Sequence, residues 1–490
     1  MRILEKEENT LLLSHLLKQF KRVLPDQRSD HILYFSILFL AFCVYTYKIQ
    51  TLMQFIGDQG WYYLSANRLI AGVEFPLVGI ASSHPWLHQG AFWTYLLSVA
   101  LWIGGPHVLS GFYLALLFAI TTLVALFKVT EQMFSKRIAF MALTLYAFSP
   151  LIILQARVPY HVTPIPFFTI LYIYFLYLIT KKRSFALPLS LFTLAILYNF
   201  EIAAAMLVLP LISLLLIGFM RKEIWAKQLL RIRTIAISVM VGLVPLIPFL
   251  IYDTSHGFPQ TLKFVAWVGY RILLVFGFPS VGGVSEKFVL SSYLWAEGLH
   301  LQRLLFLPSM VLAAVLFFSI LTIFAVIFFK KKLYKKSSYL ILSLWVISSI
   351  SGYIAQRTSS DAYLPLFLSG LLIIFSIVLS YIKSKAILIG AIFILCLTNV
   401  LILMQSNYTM GQKYGSGVSL EQRERAVESI IKASGKDGYV LVGSGDGSQF
   451  KSFTMNYEYL GVSLGHPPKA NGTKFHITET FNKIVVMEEK

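Results

Sequence analysis

Carboxylates are scarce in this chain. It holds 23 Asp and Glu against 42 Lys and Arg in 490 residues, and charged residues make up only 13% of it while hydrophobic ones make up 57%. That shortage excludes an ordinary soluble domain, in which about a quarter of the residues are charged. Cysteine is rarer still, with Cys43 and Cys396 each inside an apolar run. Neither a disulfide framework nor a thiolate metal site is written here. The net charge of +19 is spread in short clusters rather than gathered into a patch or stripe, which argues against nucleic acid as a partner. Polar residues fill the first thirty positions and the first apolar run is long enough to span, so no cleavable signal peptide is expected.

What the chain has instead is apolar length. Candidate spans fall at 32–50, 107–127, 138–155, 163–180, 184–198, 201–219, 234–252, 305–329, 337–354, 362–382 and 385–405, which predicts an α-helical polytopic membrane protein with about 11 transmembrane helices. Two other apolar pieces do not count as spans. Residues 91–105 would make a helix of about 22 Å, short of a hydrocarbon core of about 30 Å, and 262–278 carries Lys263 and Arg271 within it, a costly burden at mid-bilayer.

Charge agrees with that division. With the N-terminus inside, the clusters "KVTEQMFSKR", "TKKR", "RKEIWAKQLLRIR", "KKKLYKK" and "KSK" all fall on the cytoplasmic side, whereas counting 91–105 as a crossing would put all five outside. Residues 51–106, 155–163, 198–201, 253–304, 354–361 and 406–490 then face outward. The expected organisation is a cytoplasmic amphipathic segment (1–31), with 10–24 lying on the inner leaflet, a multi-span catalytic domain (32–405) with outer loops 51–106 and 253–304, and an exofacial α/β module (410–490). Within that module "SLEQRERAVESIIKAS" predicts a helix capped from Ser419 to Gln422, "GYVLVGS" a strand, "SQFKSFTMNYEYLG" a helix and "KIVVMEE" a strand. Its "GSGDGS" lacks the lysine of a phosphate-binding loop and reads as a glycine-rich turn. The module is expected to tune acceptor choice.

The polar residues worth attention lie on the outer side. Asp58, in "GDQGWYYLSANRLIAG", precedes a helix whose apolar stripe is Tyr62, Ala66, Leu69, Ile70 and Val73 and which Gly72 ends. Two readings stand: Asp58 is the helix N-cap, or it is a general base at the membrane surface with Trp61, Tyr62 and Tyr63 as an aromatic wall. Arg157 either snorkels to lipid phosphates or forks onto a substrate phosphate, and His161 follows it. Glu201 opens a span at the outer face with no basic neighbour in sequence, which marks it as a functional acid. His84 and His88 are four apart, but Pro85 argues against a helix through both and no third metal ligand is evident. Interfacial hydrogen bonding suits them better. Asp253 and His256 read by default as solvated loop residues.

Taken in order, "GDQGWYYLSANRLIAG", "SSHPWLHQGAFWTYLL", "SPLIILQAR", "YDTSHGFPQT" and "DAYLPLFLSG" resemble landmarks of the GT-C glycosyltransferases, nearest to the protein O-mannosyltransferases and aminoarabinose transferases of family 39 and their bacterial relatives. The likeness covers roughly residues 30 to 405. It implies transfer of a sugar from a polyprenyl-phosphate donor to a glycan, lipid or protein acceptor at the outer face of a plasma membrane, bacterial by the resemblance. Asp58 matches the acid to which the family assigns acceptor activation, with Glu201 as the second candidate catalytic acid. Arg157 matches a basic position near the carrier phosphate, with His161 beside it where many relatives carry a second acid. Trp61, Tyr62, His84, His88, Asp253 and His256 would line the substrate site. The family's proline pair after His or Lys is replaced here by "HQG". A monophosphate leaving group asks for one or two cations and no required metal or other cofactor. A transporter or lipid flippase is the main alternative, but it should carry its polar residues at the bilayer midplane. A membrane scaffold presenting the C-terminal module is a third class.

Overall fold

The computed structural model describes residues 28–82, 86–229, 231–275, 290–356, 360–408, 418–480 and 483–489. The amphipathic segment 10–24 and His84 lie outside these. All eleven predicted spans coincide with helix. Seven helices are long and apolar enough to cross a membrane singly: Arg28–Thr46, Val108–Met133, Ile202–Met220, Ile232–Ser255, Met310–Lys330, Ser337–Ala355 and Lys385–Gln405. The stretch read as one span at 138–155 is broken, its halves Lys136–Ala147 and Pro150–Ala156 meeting at 67°. Pro150 explains the break, since it lacks an amide donor and forces Ser149 before it out of helical backbone. Ile165–Thr180, Ala186–Phe200 and Leu368–Leu379 are apolar but shorter than a full span, and Phe92–Gly104 is a short helix as expected. This is a multi-pass membrane protein.

Loops from alternate ends of the spans gather into two groups. At one end Lys136 pairs with Asp30 at 2.8 Å, Arg137 donates to the Ile382 carbonyl and Arg221 to that of Tyr334. These contacts join segments that charge assigns to the inner side. At the other end the loop after the first span forms the helix Gly57–Ile70 and an antiparallel hairpin of β1 (Val78–Ala81) and β2 (His88–Gly90). The helix stops at Gly72, whose φ of 67° is the left-handed conformation glycine adopts without strain. Only the first part of its expected stripe is buried, namely Tyr62 and Ala66. Ile70 and Val73 are exposed.

The C-terminal module carries β3 (Tyr439–Ser444), β4 (Thr473–Glu479) and β5 (Ile484–Glu488) in the order β3-β4-β5, the first pair parallel and the second antiparallel. The helix Leu420–Ser434 has the expected capping box, Gln422 N donating to Ser419 Oγ and Ser419 N to Gln422 Oε1. The second helix is shorter than its sequence suggested, running only from Met455 to Ser463 after turns through 448–454. Gly445 and Gly447, both at positive φ, make "GSGDGS" a turn. Inside the module Arg423 reaches Glu479 through both Nε and Nη2. The module is seated on the loop that follows the first span: Leu420 N donates to Met53 O at 2.9 Å, Asn456 Nδ2 to Phe55 O at 2.8 Å and Tyr459 Oη to Pro106 O at 2.9 Å.

Candidate active site

Asp58 is not the helix N-cap. Ile56 holds that position, its amide donating to Gln59 Oε1 at 3.1 Å, and Asp58 is the second residue of the first turn. Its carboxylate is left for other partners. Oδ2 accepts from Tyr160 Oη at 3.0 Å and Oδ1 from Ser452 Oγ at 2.6 Å. A helix N-terminus also favours a negative charge there.

Around this acid the structure assembles residues far apart in sequence. The Tyr62 ring lies beside those of Tyr160 and His161, with centroids at 6.2 and 5.5 Å, and Tyr160 meets His161 edge-on at 4.1 Å. His161 Nε2 faces Glu201 Oε2 at 3.6 Å, both side chains almost wholly buried. Glu201, without a basic neighbour in sequence, thus has one in space. Its Oε2 also accepts from Gln89 Nε2 at 3.2 Å and its Oε1 from the Ala203 amide, so it caps the short 3-10 helix Ile202–Leu207. Burial, with Asp58 and Glu201 close by, pushes the Tyr62 and Tyr160 phenols well above their ordinary range. Both phenols stay protonated, and Tyr160 is the one that donates a hydrogen bond. Of the three aromatics expected as a wall, Tyr62 and Tyr63 are fully buried, Tyr63 donating to Val108 O at 2.7 Å, and Trp61 alone is partly open, with Lys451 Nζ 5.2 Å above its ring.

Arg157 is held from two sides. Its Nη1 donates to the carbonyls of Tyr45 and Tyr47 at 2.9 Å, closing the end of the first span, and its guanidinium lies 3.9 Å over the Tyr408 ring. Burial brings its pKa down to about 10, still charged at neutral pH. Its Nη2 and both ring nitrogens of His161 are buried without a hydrogen-bond partner among the described residues. Unpaired buried donors call for an acceptor the protein itself does not supply. Beside them Tyr45, Ala156, Val162, Thr163 and Pro166 help to line a small, largely apolar recess.

A polar chain continues from Glu201 along the same end of the bundle. Gln89 lies next to His88 in β2, and His88 exchanges contacts with Gln260: its amide donates to Gln260 Oε1 at 2.9 Å, and Nδ1 lies 3.2 Å from Nε2. Burial and then Lys263 and Lys451 lower the pKa of His88, which keeps the ring neutral. Asp253 is not solvated as expected. It is fully buried, accepting from the Gln260 and Thr261 amides and the Thr261 hydroxyl, and so caps the helix Pro259–Val275. His256 is exposed, stacked on Tyr252 with centroids 4.3 Å apart. The structure therefore brings Asp58, Tyr62, His161 and Glu201 into one cluster, connects His88 and Asp253 to it through Gln89 and Gln260, and leaves His256 outside. Sequence reasoning missed Tyr160, Gln89 and Ser452. Among the described residues no group of three His, Cys, Asp or Glu is placed to hold a metal ion.

Comparison with known proteins matches this architecture. Residues 84–252 match the family model described as dolichyl-phosphate-mannose-protein mannosyltransferase. ArnT from Cupriavidus metallidurans bound to undecaprenyl phosphate aligns with a TM-score of 0.57 at 11% identity, over 93% of this chain and 97% of that one. The chain has an ArnT-like fold. The archaeal oligosaccharyltransferase AglB from Archaeoglobus fulgidus, in complex with an inhibitory peptide and a dolichol-phosphate, aligns at a TM-score of 0.51 and 12% identity, over 91% of this chain and 69% of AglB. A comparison with curated protein sequences finds no significant match.

Proposed function

We propose that this protein is a membrane glycosyltransferase of the GT-C superfamily that moves a sugar from a polyprenyl-phosphate donor to an acceptor hydroxyl at the outer face of a bacterial plasma membrane, with Asp58 as general base. The observation that carries the reading is the Asp58 carboxylate, placed outside the spans and bonded to two hydroxyl donors rather than to backbone amides. Both lipid-phosphate complexes among its structural neighbours, ArnT with undecaprenyl phosphate and AglB with a dolichol-phosphate, support the donor class.

In the reaction the acceptor hydroxyl gives its proton to Asp58 as its oxygen bonds to the anomeric carbon, and the bond from that carbon to the phosphate oxygen breaks with its electron pair leaving on the phosphate. Arg157 Nη2, a buried donor with no partner of its own, binds that phosphate with His161 beside it, and the small apolar recess next to Arg157 suits the first carbons of an isoprenoid chain. Glu201 orients His161. Trp61 offers the one aromatic face of the first turn for a sugar ring. Purified protein in lipid, given a panel of polyprenyl-phosphate sugars and hydroxyl acceptors, should release polyprenyl phosphate with formation of a glycosylated acceptor. Activity restricted to nucleotide sugars or to pyrophosphate-linked donors would contradict the proposal.

A further inference from the structure

Ser452 belongs to the C-terminal module, 394 residues from Asp58 in sequence, yet its hydroxyl makes the shorter of the two hydrogen bonds to the Asp58 carboxylate. Several neighbours fix it there. The bonds from Asn456 to Phe55 and from Leu420 to Met53 pin the module to the chain just before the first helical turn, and Ser452 itself is only 9% exposed. Lys451, the preceding residue, lies over the Trp61 ring. The segment 451–456 therefore touches the helix Gly57–Ile70 through Asp58, Trp61 and the backbone near Gly57 and Gly60.

We propose that the C-terminal module is part of the active site and that Ser452 is a positioning residue for Asp58. This inference rests on Asp58 being the base. An Asp carboxylate has two free torsions, and a base that swings spends little time aligned on its acceptor. Tyr160 holds one oxygen and Ser452 the other, which fixes the plane of the group while each oxygen keeps a further lone pair for the acceptor hydroxyl. The module thus reaches the chemistry through a single hydroxyl, and not only through acceptor choice.

Ser452→Thr and Ser452→Val form the deciding pair, because they match in shape and differ by the hydroxyl. Turnover, donor KM, melting temperature and protease release of the module are measured for both, for Ser452→Ala, and for each in an Asp58→Asn background. Threonine should keep most of the turnover. Valine and alanine should lower kcat roughly tenfold with donor KM, melting and protease pattern unchanged, and should lower it no further in Asp58→Asn. Equal turnover in the Thr and Val variants overturns the proposal whatever alanine does. The two readings fail separately: inactive Asp58→Asn beside fully active Ser452→Val leaves the base and removes the positioning role, whereas active Asp58→Asn removes the base and the positioning role with it.

Discussion

Gly60 and Asn456 meet backbone to backbone: a Cβ on Gly60 would stand 2.2 Å from the Asn456 amide nitrogen, and one on Gly57 would stand 2.0 Å from the Ser452 carbonyl oxygen. Three residues apart, the two glycines share a helix face. Their missing side chains let the module lie against the turn that carries Asp58.

Gly60→Ala should therefore loosen the module. No flexible side chain is there to give way, and overpacking of this kind costs about 1–3 kcal/mol. Protease should release the C-terminal module more readily, and transfer should fall while donor binding persists. Gly269→Ala, at a helical site with no heavy atom within 4 Å of the added Cβ, serves as the control. A Gly60→Ala protein as protease-resistant and active as the parent would show that the close approach is dispensable.

Arg157→Gln separates two contributions. Loss of the bonds to Tyr45 and Tyr47 should lower the melting temperature. Loss of a charge-assisted contact to the donor phosphate should weaken donor binding by about 1.5–3 kcal/mol, roughly ten- to a hundredfold. Donor affinity is measured by titrating the polyprenyl-phosphate sugar against protein held well below its melting point. If only the melting temperature moves, Arg157 serves the end of the first span and no phosphate.

Spans were legible because apolar length and basic clusters are local signals, and each predicted stretch is helix. The break before Pro150 was legible too, in "FSP", but an apolar average over 138–155 hides it. β4 went unread although Phe475 and Ile477 alternate with Lys474 and His476, the period of a half-buried strand. The site was legible only in part. Asp58, Arg157, His161 and Glu201 stand out because charge is rare near apolar runs, which says nothing of their partners. Tyr160 and Ser452 carry no such mark, being common residue types whose role comes from contacts 102 and 394 residues away. The one local hint was the pair of glycines flanking Asp58 on one helix face, which signals that another backbone lies close.

Sidedness can be read with single cysteines in a protein lacking Cys43 and Cys396. Positions 100 and 470 should label from outside, and 181 and 331 only from inside, since this arrangement alone places all five basic clusters in the cytoplasm. Outside labelling at 181 or 331 would invert the molecule and move the Asp58 cluster to the cytoplasmic face.

The role of Asp58 itself is decided by changing its basicity while keeping its shape. Asn retains one oxygen to accept from Ser452 or Tyr160 but cannot take a proton, so Asp58→Asn should express, insert and bind donor while transfer falls by about 100-fold or more. Because Ile56 is the N-cap, Asp58→Ser should not be rescued through helix capping and should be as inactive as Asn. Asp58→Ala should in addition lose both hydrogen bonds, from Tyr160 and from Ser452, and so be less stable than the Asn variant. Tyr160→Phe removes one orienting bond and leaves the base, so a milder loss is expected there. Glu201→Gln completes the set, since Glu201 is the other acid of the cluster and its partner His161 points toward the same ring of Tyr62. Near-normal transfer by Asp58→Asn together with loss in Glu201→Gln would move the proton transfer to Glu201, and the Tyr160 and Ser452 bonds would then be structural.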